Sequence, residues 1–372
     1  MAMASSKDFA AIQSLVSNSL NPSVVGNRWI AGVMGDSPSQ YSKSPALWNA
    51  AFRHLGIDAV YLPLDVDSTH VGPLLAALRH CESFLGINVT TPHKVRVVDW
   101  LDEVDADAAR IQAVNTIVKS PAGRLIGYNT DGEGFIDSLL YPSPDQQEGF
   151  MTSLSGINAL LLGAGGSARA VALHLSDHIG SGKLIICNRT VKAADSLARE
   201  VQKLGRQAIA IDETSIAAWA PQVNLIVNST VKGQGGVRKL ADGKATLLEP
   251  YSSLSTANPP VFAATTIEGS MEERWRADAK ADIEANNRDS ETVVRSIPQQ
   301  TRFYDLIYHP EETVFLRHGR LSGHKTMNGK SMIVRQAVRA FCERICQRQL
   351  AGLRANEETI FREMAEVMYR AW

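Results

Sequence analysis

Two side chains in this sequence have the types and settings for shared chemistry. Lys94 closes Asn88-Val89-Thr90-Thr91-Pro92-His93-Lys94, and Asp131 lies in Tyr128-Asn129-Thr130-Asp131-Gly132. One is an amine and the other a carboxylate, and each follows an apolar run that reads as a strand. An ammonium within hydrogen-bond reach of a carboxylate can pass a proton to or from an oxygen, the proton half of reducing a ketone or oxidising an alcohol. Between them Ala113-Val114-Asn115-Thr116 sets a polar pair in an apolar run. Downstream lies a glycine-rich turn, Gly163-Ala164-Gly165-Gly166-Ser167-Ala168. A proton-transfer pair plus a dinucleotide turn points to a dehydrogenase.

The elements that must hold these groups alternate between strand and helix. Trp29 to Gly35 is an apolar run closed by glycine, and Ser44-Pro45 opens a helix with Ser44 as N-cap. Ala59 to Leu64 and Phe84 to Val89 read as strands, and Val71 to His80 as the helix between them. A helix from Val95 to Leu101 and strands at Ala113 to Val118 and Arg124 to Tyr128 complete a first α/β unit. A second unit begins near Gly134. Strands at Ala159 to Leu162, Lys183 to Cys187, Ala208 to Ala210 and Leu225 to Asn228 alternate with helices from Arg169 and from Ala193 to Leu204. That rhythm is the pattern of a doubly wound parallel sheet.

From about 235 to 300 the rhythm stops, and the residues are charged or are Pro, Ser and Asn. This segment is expected to be a disordered or peripheral insertion, with Met271 to Ala285 able to form an exposed helix. Strand order resumes at Phe303 to Tyr308. Helices from Lys330 to Gln347 and Glu357 to Arg370 close the chain. The domain expectation is an N-terminal extension at 1–28, carrying a helix over Asp8 to Ser19 or only partly ordered, then a substrate domain at 29–132 rejoined by about 331–372. The nucleotide domain then takes 133–330.

Composition excludes several classes. A length of 372 residues favours two domains, and 44% hydrophobic residues supply cores for both. A net charge of -1 argues against nucleic acid or an anionic membrane as the main partner. No apolar run is long enough to span a bilayer, and the N-terminal segment has neither an apolar signal core nor an arginine-rich transit pattern. Cys81, Cys187, Cys342 and Cys346 read as buried thiols in a reducing, cytoplasmic setting, since nothing completes a metal site around them.

The glycine turn gains weight from its setting. Gly163-x-Gly165-x-x-Ala168 follows a strand and opens a helix, so backbone can approach a pyrophosphate and the helix N-terminus can meet its charge. The next strand ends in Cys187-Asn188-Arg189-Thr190, where an NAD site carries an acid for the ribose 2′-hydroxyl. Arg189 is a planar cation and Thr190 a hydroxyl, both suited to a 2′-phosphate, so NADP is expected over NAD.

In order along the chain stand Ser42-Lys43-Ser44-Pro45, Asn88 to Lys94, Ala113 to Thr116, Asn129-Thr130-Asp131-Gly132, the glycine turn, Asn188-Arg189-Thr190, Tyr304-Asp305-Leu306-Ile307-Tyr308-His309-Pro310 and Met332-Ile333-Val334-Arg335-Gln336-Ala337. This series resembles the shikimate dehydrogenase family, which includes quinate dehydrogenases. The resemblance runs from about Val33 to Phe341 and skips the 235–300 segment. It implies that Lys94 and Asp131 are the catalytic pair. It also implies that Ser42, Ser44, Asn88, Thr90, Asn115, Tyr308 and Gln336 line the site of a cyclic hydroxy acid. Gly163, Ala164, Gly165, Gly166, Ser167, Ala168, Asn188, Arg189, Thr190, Lys192, Gly329 and Met332 would hold NADP, with no metal required.

The activity so implied is NADP-dependent interconversion of 3-dehydroshikimate and shikimate, on the route to chorismate and the aromatic amino acids, by a monomer or homodimer. Quinate dehydrogenase and a metabolite-sensing relative without turnover are the alternatives. Three departures stand out. Ala193 occupies the place of a second basic residue, with Lys192 before it. The loop after Asn228-Ser229-Thr230 opens the long insertion. Gly329-Lys330-Ser331-Met332 replaces a more apolar version.

Overall fold

Trp29–Gly35 forms strand β1, the inner strand of a parallel trio with β2 (Ala59–Asp65) and β3 (Phe84–Val89). β4 (Glu103–Val104), β5 (Thr116–Lys119) and β6 (Leu125–Tyr128) extend it to a mixed sheet of order β2-β1-β3-β5-β6-β4. β5 runs antiparallel to β3 and β6. These coordinates are a computed structural model and describe residues 6–144, 146–240, 242–263, 269–352 and 356–372.

Strand periodicity sends alternate side chains to opposite faces. On β2, Val60, Leu62 and Leu64 join a core beneath the helix Val71–His80. Ala59 and Tyr61 join another core, made with the helices Ser44–Leu55, Lys330–Arg339 and Glu357–Arg370. The N-terminal helix is short, Ser6–Gln13, and does not reach Ser19. Ser17 N–H donates to the Asp65 carbonyl, and the Asn18 side chain bonds Pro63 O and Asp65 N along the edge of β2. Extended chain is needed there, so the helix stops. Residues 1–5 of the expected extension lie outside the described residues.

Contacts divide the chain into Met1–Gly149 with Met332–Trp372, and Phe150–Ser331. The first segment therefore runs further than the expected break after Gly132. The helix Asp131–Leu140 lies within the first unit, where Arg339 donates to both carboxylate oxygens of Asp137 at 2.6 and 2.9 Å. The expected Ser44 N-cap is also revised: the helix starts at Ser44 with Lys43 as cap residue and no side-chain cap. The Ser44 hydroxyl instead meets the phenol of Tyr61. The expected helix at Val95 to Leu101 is a 3₁₀ turn, Arg96–Trp100.

In the second unit β7 (Ala159–Leu162), β8 (Lys183–Cys187), β9 (Gln207–Ile211) and β10 (Leu225–Asn228) are parallel neighbours. Three short strands, β11 (Val237–Lys239), β12 (Lys244–Leu247) and β13 (Phe262–Ala263), form a separate antiparallel sheet. β14 (Arg302–Asp305) and β15 (Thr326–Met327) then complete the order β15-β14-β10-β7-β8-β9. The chain winds outward both ways from β7 and β10, as in doubly wound nucleotide-binding sheets.

The 235–300 segment departs from the disordered reading. Helix Gly269–Arg295 is 27 residues long. Trp275 and Ala279 pack with Leu247, Leu248 and Tyr251, while Val293, Val294 and Ile297 enter the core of the main sheet. Residues 241 and 264–268 of this segment lie outside the described residues. The strand expected through Tyr308 stops at Asp305, whose carboxylate accepts from Ile307 N–H and turns the chain. The helix expected from Lys330 to Gln347 changes at Ala340–Ile345 into a π-helical turn. Among the described residues no helix is long and apolar enough to cross a membrane.

Candidate active site

Lys94 follows β3 in a turn, and Asp131 is the first residue of the helix Asp131–Leu140. Lys94 Nζ donates to Asp131 Oδ2 at 2.6 Å, with the lysine side chain 27% exposed and the aspartate 8%. The second oxygen, Oδ1, accepts Asn115 Nδ2 at 2.8 Å. Asn129 Oδ1 accepts the Asp131 N–H at 3.0 Å, which fixes the start of the helix. A carboxylate at a helix N-terminus also lies at the favourable end of the helix dipole. The ammonium thus has one proton on the carboxylate, and its remaining N–H bonds stay available on a partly open side.

Asn115, just ahead of β5, spends its whole bonding capacity inside the protein. Its Nδ2 also lies within reach of Gln336 Oε1 at 2.9 Å and Thr130 Oγ1 at 3.1 Å. Its Oδ1 accepts Thr130 N–H and the Thr116 hydroxyl, both at 2.9 Å. Asn115 therefore sets Asp131 and Gln336 relative to each other. The Gln336 Nε2 amide keeps no protein acceptor among the described residues and can serve as a donor.

The antiparallel register of β3 and β5 puts Asn88 opposite Thr116. Asn88 Nδ2 donates to Thr116 Oγ1 at 2.9 Å and leans on the Asn115 carbonyl at 3.3 Å, while its Oδ1 accepts Tyr61 Oη at 2.6 Å. Tyr61 stacks on Trp48 with centroids 4.7 Å apart. Burial pushes its phenol well above the ordinary tyrosine range, against the opposing hydrogen bond from Ser44, so it stays a donor. A continuous network thus joins Ser44, Tyr61, Asn88, Thr116, Asn115, Thr130, Asp131, Lys94 and Gln336. Ser42 Oγ accepts Ser44 N–H at 3.3 Å, and Thr90 meets the Tyr41 hydroxyl. Sequence reasoning missed Tyr61, Thr116 and Thr130. The polar Tyr61 inside the apolar run of β2 was the available signal.

In the second unit, β7 leads through Gly163-Ala164-Gly165 into the helix Gly166–Ile179. Gly163 has φ +111°, and a β-carbon on it would lie 2.5 Å from Ser229 Oγ, so glycine is required. Above Gly165 and Gly166 a β-carbon would meet nothing within 4 Å. The helix starts without a side-chain cap or an acid in its first turn, leaving its first N–H groups to an anion. Ser167 is exposed there, and Ala168 is buried beneath it.

Asn188 Nδ2 donates to Thr190 O at 3.1 Å, folding the loop after β8 so that Arg189, Thr190 and Lys192 are all exposed. Open glycine backbone, an uncapped helix and two cations without an intervening acid fit a phosphorylated dinucleotide. Tyr308 and Gly329 belong to this unit. A β-carbon on Gly329 would collide with the Leu306 carbonyl, so residue 329 supports the loop that carries Tyr308. Met332, assigned to the first unit, is buried on its helix. Burial raises the Cys187 and Cys342 thiols to about 12 and pushes Cys346 well above the ordinary thiol range, which leaves them protonated and unreactive.

A doubly wound parallel sheet with this turn beside its central strand defines a two-unit α/β protein of the dinucleotide-binding class. Residues 33–117 match the model of the shikimate dehydrogenase substrate binding domain, and residues 146–239 that of shikimate / quinate 5-dehydrogenase. A shikimate dehydrogenase (NADP(+)) from Symbiobacterium thermophilum is 35% identical over 316 residues, 84% of this chain and 87% of that protein. The chain belongs to the shikimate dehydrogenase family.

Among solved structures, shikimate 5-dehydrogenase from Thermus thermophilus in complex with NADP(H) and shikimate is 27% identical, with a TM-score of 0.59 over 92% of this chain and 99% of that one. Quinate dehydrogenase from Corynebacterium glutamicum in complex with NAD, 24% identical, shares the fold with a TM-score of 0.62 over 90% and 98%.

Proposed function

We propose that this protein is an NADP-dependent shikimate dehydrogenase that interconverts 3-dehydroshikimate and shikimate, with Lys94 and Asp131 as its catalytic pair. The 2.6 Å bond from Lys94 Nζ to a carboxylate already held by Asn115 carries the reading. When bound, NADP(H) supplies or takes up the hydride at the reacting carbon. In reduction, Lys94 donates a hydrogen bond to the ketone oxygen and passes its proton there as negative charge develops. Solvent restores that proton through the exposed part of the side chain. Asp131 holds the ammonium and can accept from a neighbouring ring hydroxyl.

The remaining polar groups divide by what they still have free. Ser42, beside a helix start and with its own hydroxyl proton unspent among the described residues, suits the carboxylate. Ser44, whose hydroxyl and N–H are engaged with Tyr61 and Ser42, stays in the proposed substrate set on the family resemblance. Asn88 has both amide protons engaged, so it serves a ring hydroxyl as an acceptor. Gln336 Nε2 and Thr90 offer further contacts, and Asn115 acts by holding Asp131 and Gln336. Tyr308 stays in the proposed substrate set on the family resemblance. Arg189, with Thr190 and Lys192 beside it, is assigned to the 2′-phosphate, and Gly163 to Ala168 to the pyrophosphate. A site dense in fixed polar groups rejects analogues that leave them unpaired.

Absorbance at the nicotinamide band, with shikimate and quinate each offered with NADP and NAD, tests the reading. Higher kcat/KM for shikimate with NADP is expected. A preference for quinate would overturn the substrate assignment. Ligand binding without turnover would point to the sensor.

A further inference from the structure

Lys232, four residues past the end of β10, has no part in the chemistry above, yet it is nearly buried. Its Nζ donates to Glu213 Oε1 at 2.8 Å and to the Ser255 carbonyl at 2.6 Å. Both side chains of the pair are about one-tenth exposed, at 11% and 12%. Glu213 follows β9, Lys232 follows β10, and Ser255 belongs to the inserted segment. One ammonium therefore pins three separate stretches of chain.

The path continues in both directions. The Ser255 carbonyl also accepts Asn286 Nδ2 at 3.3 Å from the inserted helix. Buried Asn286 closes the same loop through Ser252 N–H at 2.8 Å and the Thr256 carbonyl at 2.9 Å. On the other side the Lys232 carbonyl accepts Asn228 Nδ2 at 3.2 Å, and Asn228 Oδ1 accepts the Thr230 N–H and hydroxyl. Ser229 and Thr230 form the floor of the glycine turn, since a β-carbon on Gly163 would lie 2.5 Å from Ser229 Oγ and 3.2 Å from Thr230 N. Hydrogen bonds thus run from the inserted helix to Thr230, which packs against the turn assigned to the pyrophosphate.

Burying an ammonium and a carboxylate costs desolvation that their attraction only partly offsets, so net stability is a poor reason to keep the pair. Geometry is a better one. We propose that Lys232 is a positioning residue for the dinucleotide site, tying the inserted segment to the loop beneath the glycine turn so that the rim is formed before the cofactor arrives. This inference rests on the reading that the turn binds NADP(H). Preformed sites bind more tightly because less ordering remains to be done on binding.

The test is a fluorescence titration of NADPH into the full chain and its variants Lys232→Met, Lys232→Arg and Asn286→Ala, each checked for a cooperative thermal transition. For Lys232→Met the expected result is a rise of about tenfold in both Kd and KM for NADPH. Its kcat at saturating NADPH should stay within about twofold, with the KM for the acid substrate unmoved. Lys232→Arg should recover part of the loss, and Asn286→Ala, remote from the turn, should shift Kd the same way. If Lys232→Met does not fold, the other two variants carry the same comparison. Folded variants with wild-type Kd for NADPH overturn the inference, leaving the pair a structural one. Wild-type protein that binds no NADPH overturns the cofactor reading itself, and this inference with it.

Discussion

Gly134 and Gln336 meet backbone to backbone: a β-carbon on Gly134 would lie 2.5 Å from Gln336 N and 2.7 Å from its Cα. Gly134 is one turn into the helix that begins at Asp131, and Gln336 bonds Asn115, so this close approach sets the spacing of the whole site. Gly134→Ala should push Gln336 away. The expected outcome is a loss of about 1–3 kcal/mol in denaturant unfolding together with a raised substrate KM. Wild-type values for both would mean the helices can part freely.

Lys94→Met keeps the aliphatic stem and removes the proton. Turnover should fall about 10²-fold or more, with substrate affinity largely kept. Steady-state rates and a direct binding titration separate the two. Near-normal kcat would remove Lys94 from the chemistry.

Arg189 should discriminate between cofactors. Arg189→Ala is expected to raise KM for NADPH about tenfold or more while NADH kinetics barely move, because only the former carries the 2′-phosphate. Equal losses with both cofactors would place Arg189 elsewhere than at that phosphate.

Asp305 predicts a pH signature in stability. It is fully buried, and burial pushes its carboxyl up to about 7 despite hydrogen bonds from Thr313, Ile307 and Asn228. Its ordinary value is 3.8. Between these limits the folded protein holds a proton that the unfolded chain has released. This contribution to stability is therefore fully present near pH 4, falls as pH rises toward 7, and is level above it.

In Asp305→Asn that slope disappears. Between pH 5 and 7 the wild-type unfolding free energy should drop by about 2–3 kcal/mol more than the variant's. The amide also turns a donor toward donors, so lower stability at every pH is expected as well. Parallel pH profiles for the two proteins would show that Asp305 keeps an ordinary proton affinity.

The parallel sheet of the second unit and its glycine turn were readable because the signal is local. Four apolar runs, the first two each followed by a helical pattern, leave few topologies, and Gly163-x-Gly165-x-x-Ala168 sits where a strand meets a helix. The inserted helix was misread for a related reason. Its polar composition suggested disorder, yet Trp275, Ala279, Ile283, Asn286, Ser290 and Val293 recur at helical spacing and all but half-buried Ile283 are buried. Two of those six are polar, so an average over composition hides a stripe that position reveals.

Residue order along the chain settled which groups were available: an amine at 94, a carboxylate at 131, amides at 88, 115 and 336, and a cation at 189. It also determined the strands and helices that carry them, since periodicity and glycine placement act over a few residues. How those groups share their hydrogen bonds came instead from long-range packing. The β3–β5 register sets Asn88 against Thr116, Tyr61 reaches Asn88 from β2, and Gly134 lets Gln336 close on Asn115. Each of these joins residues distant in the chain, and a hydrogen bond depends on positions within tenths of an ångström that local pattern does not encode.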